Sequence, residues 1–444
     1  MIQQLGRSRT GINLADVFAL IGISQQSRRT DYLGDRLPAE PNTNSTRILE
    51  SPNFWDRWRC SIVICNICPL AICCAPFIVT RIQQNPIAKA PAFKLSYRPE
   101  LDGLRGISIL LVLGLHFTPN LIPGGFLGVD IFFVLSGFLI TSLLLQEWSQ
   151  RNSISLKDFY IRRILRLGPG LAVYLLLLGT YALVFLKKEN AKEIYFGILL
   201  TLSYVSNWVI ALKPDFPTGI LAITWSLAVE EQFYLVWPLI LSLLLTLRLN
   251  RSWIILALVL GIVSVGINRA LLWEAGASVR RLYYATDTHA DGLLMGCLVG
   301  CLVCWDLMPK SRWLEVFVKS VALVFAFLIA FLVLTRKHDH PLFYVGGFSF
   351  VALGFAATIL ALVAWPAAPA ATVLRFKPLA WLGRISYGLY LWHWPVRGFV
   401  FGKSAQPSTK QIVAAIVLSL VITSLSYYVI ELPFLRWKKR FSHA

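Results

Sequence analysis

Apolar runs of membrane-spanning length recur from about residue 104 to the C-terminus, and no other feature of the 444-residue chain limits its fold so strongly. A span needs about 20 mostly apolar residues. By that measure segments lie near 104–118, 124–147, 165–186, 192–212, 225–247, 253–273, 290–307, 315–335, 342–365, 384–401 and 411–430. The first is short by itself and counts because its flanks are only weakly polar. The connecting loops are short, and no sizeable extramembrane domain lies between or after the segments, so any chemistry must sit inside the bundle or at its faces. The expected fold is an all-α polytopic membrane protein, a bundle of about 10 transmembrane helices with one further apolar segment re-entrant.

Composition points the same way. Hydrophobic residues make up 56% of the chain and charged residues 15%, against roughly 25% charged in average soluble domains. Mean hydropathy is +0.63. These values exclude a disordered chain, a collagen-like rod, a disulfide scaffold and an ordinary soluble enzyme. Lys and Arg total 42 against 23 Asp and Glu, a formal net charge of +19. On a polytopic membrane protein that excess reports orientation and contact with anionic headgroups. Membrane lipids, and not nucleic acid, are therefore the expected partners.

The positive charges set an expected sidedness. The loop 147–166 carries Arg151, Lys157, Arg162, Arg163 and Arg166, which makes it cytoplasmic. Arg98 and Arg105 put the start of the first span on that side, and Arg436, Lys438, Lys439 and Arg440 put the C-terminal tail there too. Both ends inside requires an even number of crossings, one fewer than the apolar segments counted. The segment expected not to cross is 165–186, which contains Gly168-Pro169-Gly170 and lies between two basic loops, the second Lys187-Lys188.

Residues 1–95 are of a different kind. The first 60 are polar, mixed in charge and without a sustained helical period, a pattern of poor order. An apolar stretch follows at 61–80, with Cys65, Cys68, Cys73 and Cys74 inside it and Cys60 before it. It lies too far from the N-terminus for a secretory signal, and a crossing here would force the arginine-rich loop outside. It reads as an interfacial segment or as sequence upstream of the true start. Of the eight cysteines, Cys297, Cys301 and Cys304 share one helix face. Cys65 and Cys68 have metal-like spacing but no second pair, so the cysteines read as small apolar packing residues and no metal is expected. No phosphate-binding loop of the Walker A or GxGxxG kind is present. Gly124-Gly125-Phe126-Leu127-Gly128 opens a span and suits close helix packing.

Ionisable groups inside spans are expensive, and each is a functional candidate. Arg105 and His116 are eleven residues apart, which on an α-helix is a rise of roughly 16 Å and three turns plus about 20°. They therefore share a face, the arginine near the cytoplasmic surface and the histidine deep in the membrane. A histidine there can accept and return a proton near neutral pH. Arg163 and Arg166, three apart on a helix, can clamp an anionic group such as a phosphorylated cofactor with two guanidinium forks. Asp130, Glu230, Glu231, Asp287 and Asp291 complete the set, the last two flanking His289. Each carboxylate can orient the histidine, bind a substrate hydroxyl, or pair with Arg269, Arg280, Arg281 or Arg384. Ser136 and Ser226 lie in apolar helices without a base nearby in sequence and are weaker candidates as nucleophiles.

Taken together, these stretches resemble the acyltransferase 3 family of membrane acyltransferases. The resemblance starts at Tyr97-Arg98-Pro99-Glu100-Leu101-Asp102-Gly103-Leu104-Arg105-Gly106 with His116, and runs through 124–138, 159–169, 225–238 and 284–296. It ends with Leu382-Gly383-Arg384-Ile385-Ser386-Tyr387-Gly388-Leu389-Tyr390-Leu391-Trp392-His393-Trp394-Pro395 and with Glu431-Leu432-Pro433. The resemblance implies a membrane acyltransferase domain over 96–436, preceded by an unexplained extension over 1–95 and followed by a short basic tail at 437–444. It further implies residence in the cell (inner) membrane and transfer of an acyl group, usually acetyl from cytoplasmic acetyl-CoA, to a carbohydrate or glycolipid hydroxyl. Acceptors in the family include lipopolysaccharide, exopolysaccharides and peptidoglycan. Arg105 and His116 match the family's arginine–histidine motif, and Arg163 and Arg166 match its RxxR. Because the chain ends at Ala444, it resembles the stand-alone type that lacks a fused SGNH hydrolase-like domain. On this reading Arg163 and Arg166 hold the donor's phosphates, and His116 acts as general base or carries the acyl group. Arg105 and Glu230 orient substrate and stabilise charge, while Asp130, Asp287 and Asp291 are substrate-binding or structural. The rival class is a transporter or flippase for a glycolipid or anion, which would also use intramembrane Arg, His and Asp.

Overall fold

A computed structural model describes residues 95–213, 219, 221–308, 311–365, 369–402, 404 and 406–441. The extension up to residue 94, with its Cys-rich stretch, and the last three residues of the tail lie outside them. Every regular element among the described residues is helical, as hydrocarbon requires of a chain that must satisfy its own backbone N–H and C=O groups. The helices are α1 (Pro99–Phe117), α2 (Leu127–Arg151), α3 (Leu156–Phe185), α4 (Lys188–Leu202), α5 (Ser206–Leu212), α6 (Thr224–Thr246), α7 (Arg251–Glu274), α8 (Val279–Tyr284) and α9 (Thr286–His289). They continue with α10 (Asp291–Cys304), α11 (Arg312–Thr335), α12 (Gly347–Ala364), α13 (Pro369–Leu374), α14 (Lys377–Arg384), α15 (Ser386–Phe401), α16 (Thr409–Leu425) and α17 (Leu432–Lys438).

Seven helical stretches are long and apolar enough to cross a membrane: α2, α3, α6, α7, α11, α12, and α16 run on into α17 through a π-helical turn at Ser426–Glu431. The bent pair α4–α5 makes an eighth if it forms one span. This is fewer than the expected ten. The shortfall has local causes: α10 has 14 residues and α15 has 16, and α1 carries Glu100, Asp102 and Arg105 in its first two turns. The segment expected to be re-entrant also differs. Residues 165–185 belong to an unbroken helix of 30 residues that absorbs Pro169, whereas α4 and α5 meet at 119°. That bend turns at Tyr204, a non-glycine residue with a positive φ of 54°. Gln232 of α6 holds it by donating to the Tyr204 carbonyl (2.7 Å) and to Asn207 (2.9 Å).

α2 is the most enclosed of the long helices and α12 follows, while α7, α11 and α16 turn most of their apolar surface outward. Outward-facing leucines and phenylalanines suit a lipid surface, which removes the hydrophobic drive to bury them and leaves close van der Waals packing to hold helices together. The α2–α10 contact is the most extensive between helices of the described residues and shows how this is done. A Cβ on Gly137 would stand 2.0 Å from the Leu293 carbonyl oxygen, and one on Gly296 would stand 2.1 Å from that of Val134. The two backbones therefore touch, and only glycine fits. Gly125 and Gly128 bring α2 against α1 in the same manner, as expected of that glycine cluster. Cys297 and Cys301 are buried beside Tyr234 and Trp237, in the packing role expected of them.

The Asp102-Gly103-Leu104-Arg105-Gly106 stretch has the same explanation. A Cβ on Gly103 would lie 1.9 Å from the Leu374 carbonyl oxygen, and one on Gly383 would lie 1.8 Å from that of Asp102. α1 is thus seated backbone to backbone on α13 and α14. Glu100 anchors the same end through Arg375, at 3.1 Å.

Candidate active site

The first cluster forms where the starts of α1 and α3 meet α6. Ser155 caps α3, its hydroxyl accepting from the Asp158 N–H at 3.3 Å, so that Arg162, Arg163 and Arg166 fall within the first three turns. Arg162 is held by Glu147 (3.0 Å) and donates to the Phe441 carbonyl (2.9 Å). Arg105 reaches Asp102 at 3.4 Å. Arg163 and Arg166 make no ion pair among the described residues. The Arg163 guanidinium instead lies 3.6 Å above the Tyr234 ring, and its Nε is buried without a hydrogen-bond partner. Tyr234 donates to Ser136 (2.9 Å), and Ser136 donates to Glu230 (2.5 Å). The charges of Arg163, Arg105 and Arg166 all act on the Glu230 carboxylate, and Arg105 and Arg163 both act on Arg166. Arg163 and Arg166, brought together without an ion pair of their own, the first with an orphaned Nε donor, make a receptive place for an anionic group presented with several oxygens.

The second cluster lies at the other end of α1. The His116 ring meets His393 of α15, Nδ1 to Nε2, at 2.8 Å. His393 is fully buried, and its own Nδ1 donates to the Leu389 carbonyl at 3.0 Å. The Trp394 ring meets His116 edge-on, with centroids 4.8 Å apart, and Arg397 donates to the His116 carbonyl at 2.9 Å. Three residues of α15 therefore grip one histidine by ring and backbone. Among the described residues no carboxylate touches His116.

The remaining carboxylates have other partners. Asp130 is hydrogen-bonded to His289, Oδ1 to Nε2, at 2.9 Å. Asp291 pairs with the fully buried Arg269 at 2.9 Å and accepts from Ser349 at 2.5 Å. Asp287 pairs with Arg281 at 2.6 Å. Of the open alternatives, Asp130 does orient a histidine, though His289 and not His116, while Asp287 and Asp291 pair with arginines. Glu230 gathers with Arg105, Arg163 and Arg166 and not with His116. No group of three or more potential metal ligands occurs among the described residues.

Two partners were hidden in the sequence. Ser136 has its carboxylate in space, although Glu230 is 94 residues away along the chain. His393 lies in the Trp392-His393-Trp394-Pro395 motif without an assigned role. An ionisable side chain inside an apolar segment was the available signal.

The unpaired Arg163 and Arg166 of α3, with Arg105 near one end of α1, and the gripped His116 at the other end of α1 fall within a single family match. The family profile for an acyltransferase domain covers residues 98–431, and the chain belongs to that acyltransferase family. Among curated relatives, peptidoglycan O-acetyltransferase OatA of Listeria monocytogenes is 32% identical over 355 residues, 77% of this chain and 56% of the relative. The putative peptidoglycan O-acetyltransferase YrhL of Bacillus subtilis is 35% identical over 354 residues, 76% of this chain and 55% of the relative. A putative O-acetyltransferase of Staphylococcus aureus is 35% identical over 356 residues, 77% and 58%. The chain thus spans little more than half the length of these relatives. No solved structure matches it significantly.

Proposed function

We propose that the protein transfers an acyl group, acetyl in the first instance, from acetyl-CoA on the cytoplasmic side of the cell membrane to a carbohydrate hydroxyl. The names of the relatives favour a glycan of peptidoglycan as the acceptor class. One observation carries the reading. Arg163 and Arg166, unpaired, gather with Arg105 near one end of α1, and His116 stands eleven residues further along it, a rise of roughly 16 Å.

The donor's phosphates bind at Arg163 and Arg166, where the buried Nε of Arg163 gains an acceptor. The thioester arm extends along α1 toward His116. The imidazole takes the proton of the acceptor hydroxyl as its oxygen attacks the thioester carbonyl. The C–S bond breaks, and the proton passes to the departing thiolate, so that ester and free thiol are the products. In the two-step variant the imidazole first carries the acyl group and then yields it to the hydroxyl. Arg105 and Glu230 orient the donor at the arginine end. In this orientation the loop 147–166 and the C-terminal tail are cytoplasmic, as are both chain ends.

Purified protein in liposomes, supplied with acetyl-labelled acetyl-CoA and glycan fragments, tests this directly. Label should enter the glycan as an ester, and His116→Ala should abolish the transfer. Wild-type transfer by a correctly inserted His116→Ala protein would overturn the assignment.

A further inference from the structure

We infer that His393 is a positioning residue: it fixes which nitrogen of His116 carries the proton, and so presents the other as the reactive lone pair. The inference rests on the reading of His116 as the base or acyl carrier.

His116 and His393 belong to a chain of hydrogen bonds whose polarity is set at one end. A backbone carbonyl only accepts. The 3.0 Å contact from His393 Nδ1 to the Leu389 carbonyl therefore places a hydrogen on Nδ1. A singly protonated His393 then has a lone pair on Nε2, and that atom lies 2.8 Å from His116 Nδ1. A hydrogen bond needs one donor, so His116 Nδ1 carries the hydrogen. The same rule leaves His116 Nε2 as an unprotonated nitrogen, on the ring position facing away from His393. No described side chain donates to it or accepts from it.

The neighbours keep this arrangement from relaxing. Trp394 blocks ring rotation from one side at 4.8 Å. Arg397, the charged group facing the pair from α15, is engaged with the His116 carbonyl and lies over the Trp394 ring at 5.2 Å. His393 is fully buried and lies in the same turn as Tyr390, whose hydroxyl is tied to Ser226 (2.6 Å) and to the Ile223 carbonyl (2.8 Å). A rigid acceptor thus faces a less buried base. When His116 takes a proton on Nε2 it becomes a charged donor, and its bond to His393 strengthens. A carboxylate orienting group would leave a buried negative charge between turnovers, whereas a second imidazole does not.

His393→Phe removes the acceptor and keeps an aromatic ring of similar size. His393→Gln keeps an acceptor at about the position of Nε2. With acetyl-CoA and a glycan acceptor, His393→Phe should lower kcat by roughly 100-fold or more, with the KM for acetyl-CoA unchanged because Arg163 and Arg166 are untouched. His393→Gln should recover kcat to within about tenfold of wild type. Folding is checked by detergent-solubilised melting of both variants. His393→Phe with wild-type kcat, or His393→Gln as inactive as His393→Phe while equally folded, would overturn the inference. His116→Ala is measured beside them. If it is inactive while His393→Phe is active, only the positioning role fails. If it is active, the reading of His116 fails and this inference fails with it.

Discussion

His289 is bonded on both sides of its ring: Nε2 meets Asp130 Oδ1 at 2.9 Å, and Nδ1 donates to the Tyr283 carbonyl at 2.7 Å. Both nitrogens are engaged, so this histidine offers no free lone pair to a substrate. It is enclosed by Phe133, Trp225, Tyr283 and Phe348 and joins α2 to the α9–α10 corner. His116 has one nitrogen engaged and one free. The two histidines have opposite chemical standing although each lies among apolar helices.

Asp130→Ala should therefore destabilise the fold while leaving the chemical step of the folded fraction unchanged. Removing one partner of a buried hydrogen bond leaves the other unsatisfied, at a cost of about 1–3 kcal/mol. The measurement is thermal melting in detergent beside turnover per folded molecule. A lost turnover with unchanged melting would assign Asp130 to catalysis instead.

Arg163→Ala should raise the KM for acetyl-CoA by roughly 10- to 100-fold, the worth of a charge-assisted hydrogen bond of about 1.5–3 kcal/mol. kcat at saturating donor should change little. Arg163→Lys should restore little of the affinity, because an ammonium neither forks onto phosphate nor lies flat over the Tyr234 ring. Unchanged donor KM in Arg163→Ala would remove the clamp from the mechanism.

Gly137→Ala should prevent stable assembly, since its new Cβ would stand 2.0 Å from the Leu293 carbonyl oxygen. Neither backbone can retreat without parting α2 from α10. Gly398→Ala is the control, because nothing lies within 4 Å of a Cβ built there, and alanine restricts an unfolded chain more than glycine by about 0.5–1 kcal/mol. Yield and melting should collapse in the first variant and hold or rise in the second.

α3 has 30 residues, a length of roughly 45 Å against a hydrocarbon thickness of about 30 Å. Single cysteines at Lys157 and Lys187, in a background without other cysteines, should react with a membrane-impermeant maleimide from opposite sides. Labelling of both from the same side would return 165–186 to a re-entrant path.

Much of this was legible because it is local. Arg105 and His116 share a helix, as do Arg163 and Arg166, and helical geometry alone puts each pair on one face. The glycines of the 124–128 cluster announced close packing by composition. What could not be read depends on contacts between distant parts of the chain. His116 and His393 are 277 residues apart, and Asp130 and His289 are 159 apart. No periodicity links such positions. The count of spans exceeded the seven or eight seen because hydropathy does not register a turn such as Tyr204, nor a helix that stops after 14 residues like α10.

The backbone contacts of Gly103, Gly106 and Gly383 have a metric consequence. They seat one end of α1 with almost no slack, while α15 grips the other end at His116. The helix then acts as a ruler whose zero lies at Arg105 and whose mark lies at the imidazole. Inserting one residue between them would advance the mark by about 1.5 Å and swing it by about 100°, off His393 and away from the arm of any donor held at the zero. Donor length would then be selected by the geometry of one helix, and the acceptor side of the protein could diverge without recalibrating it.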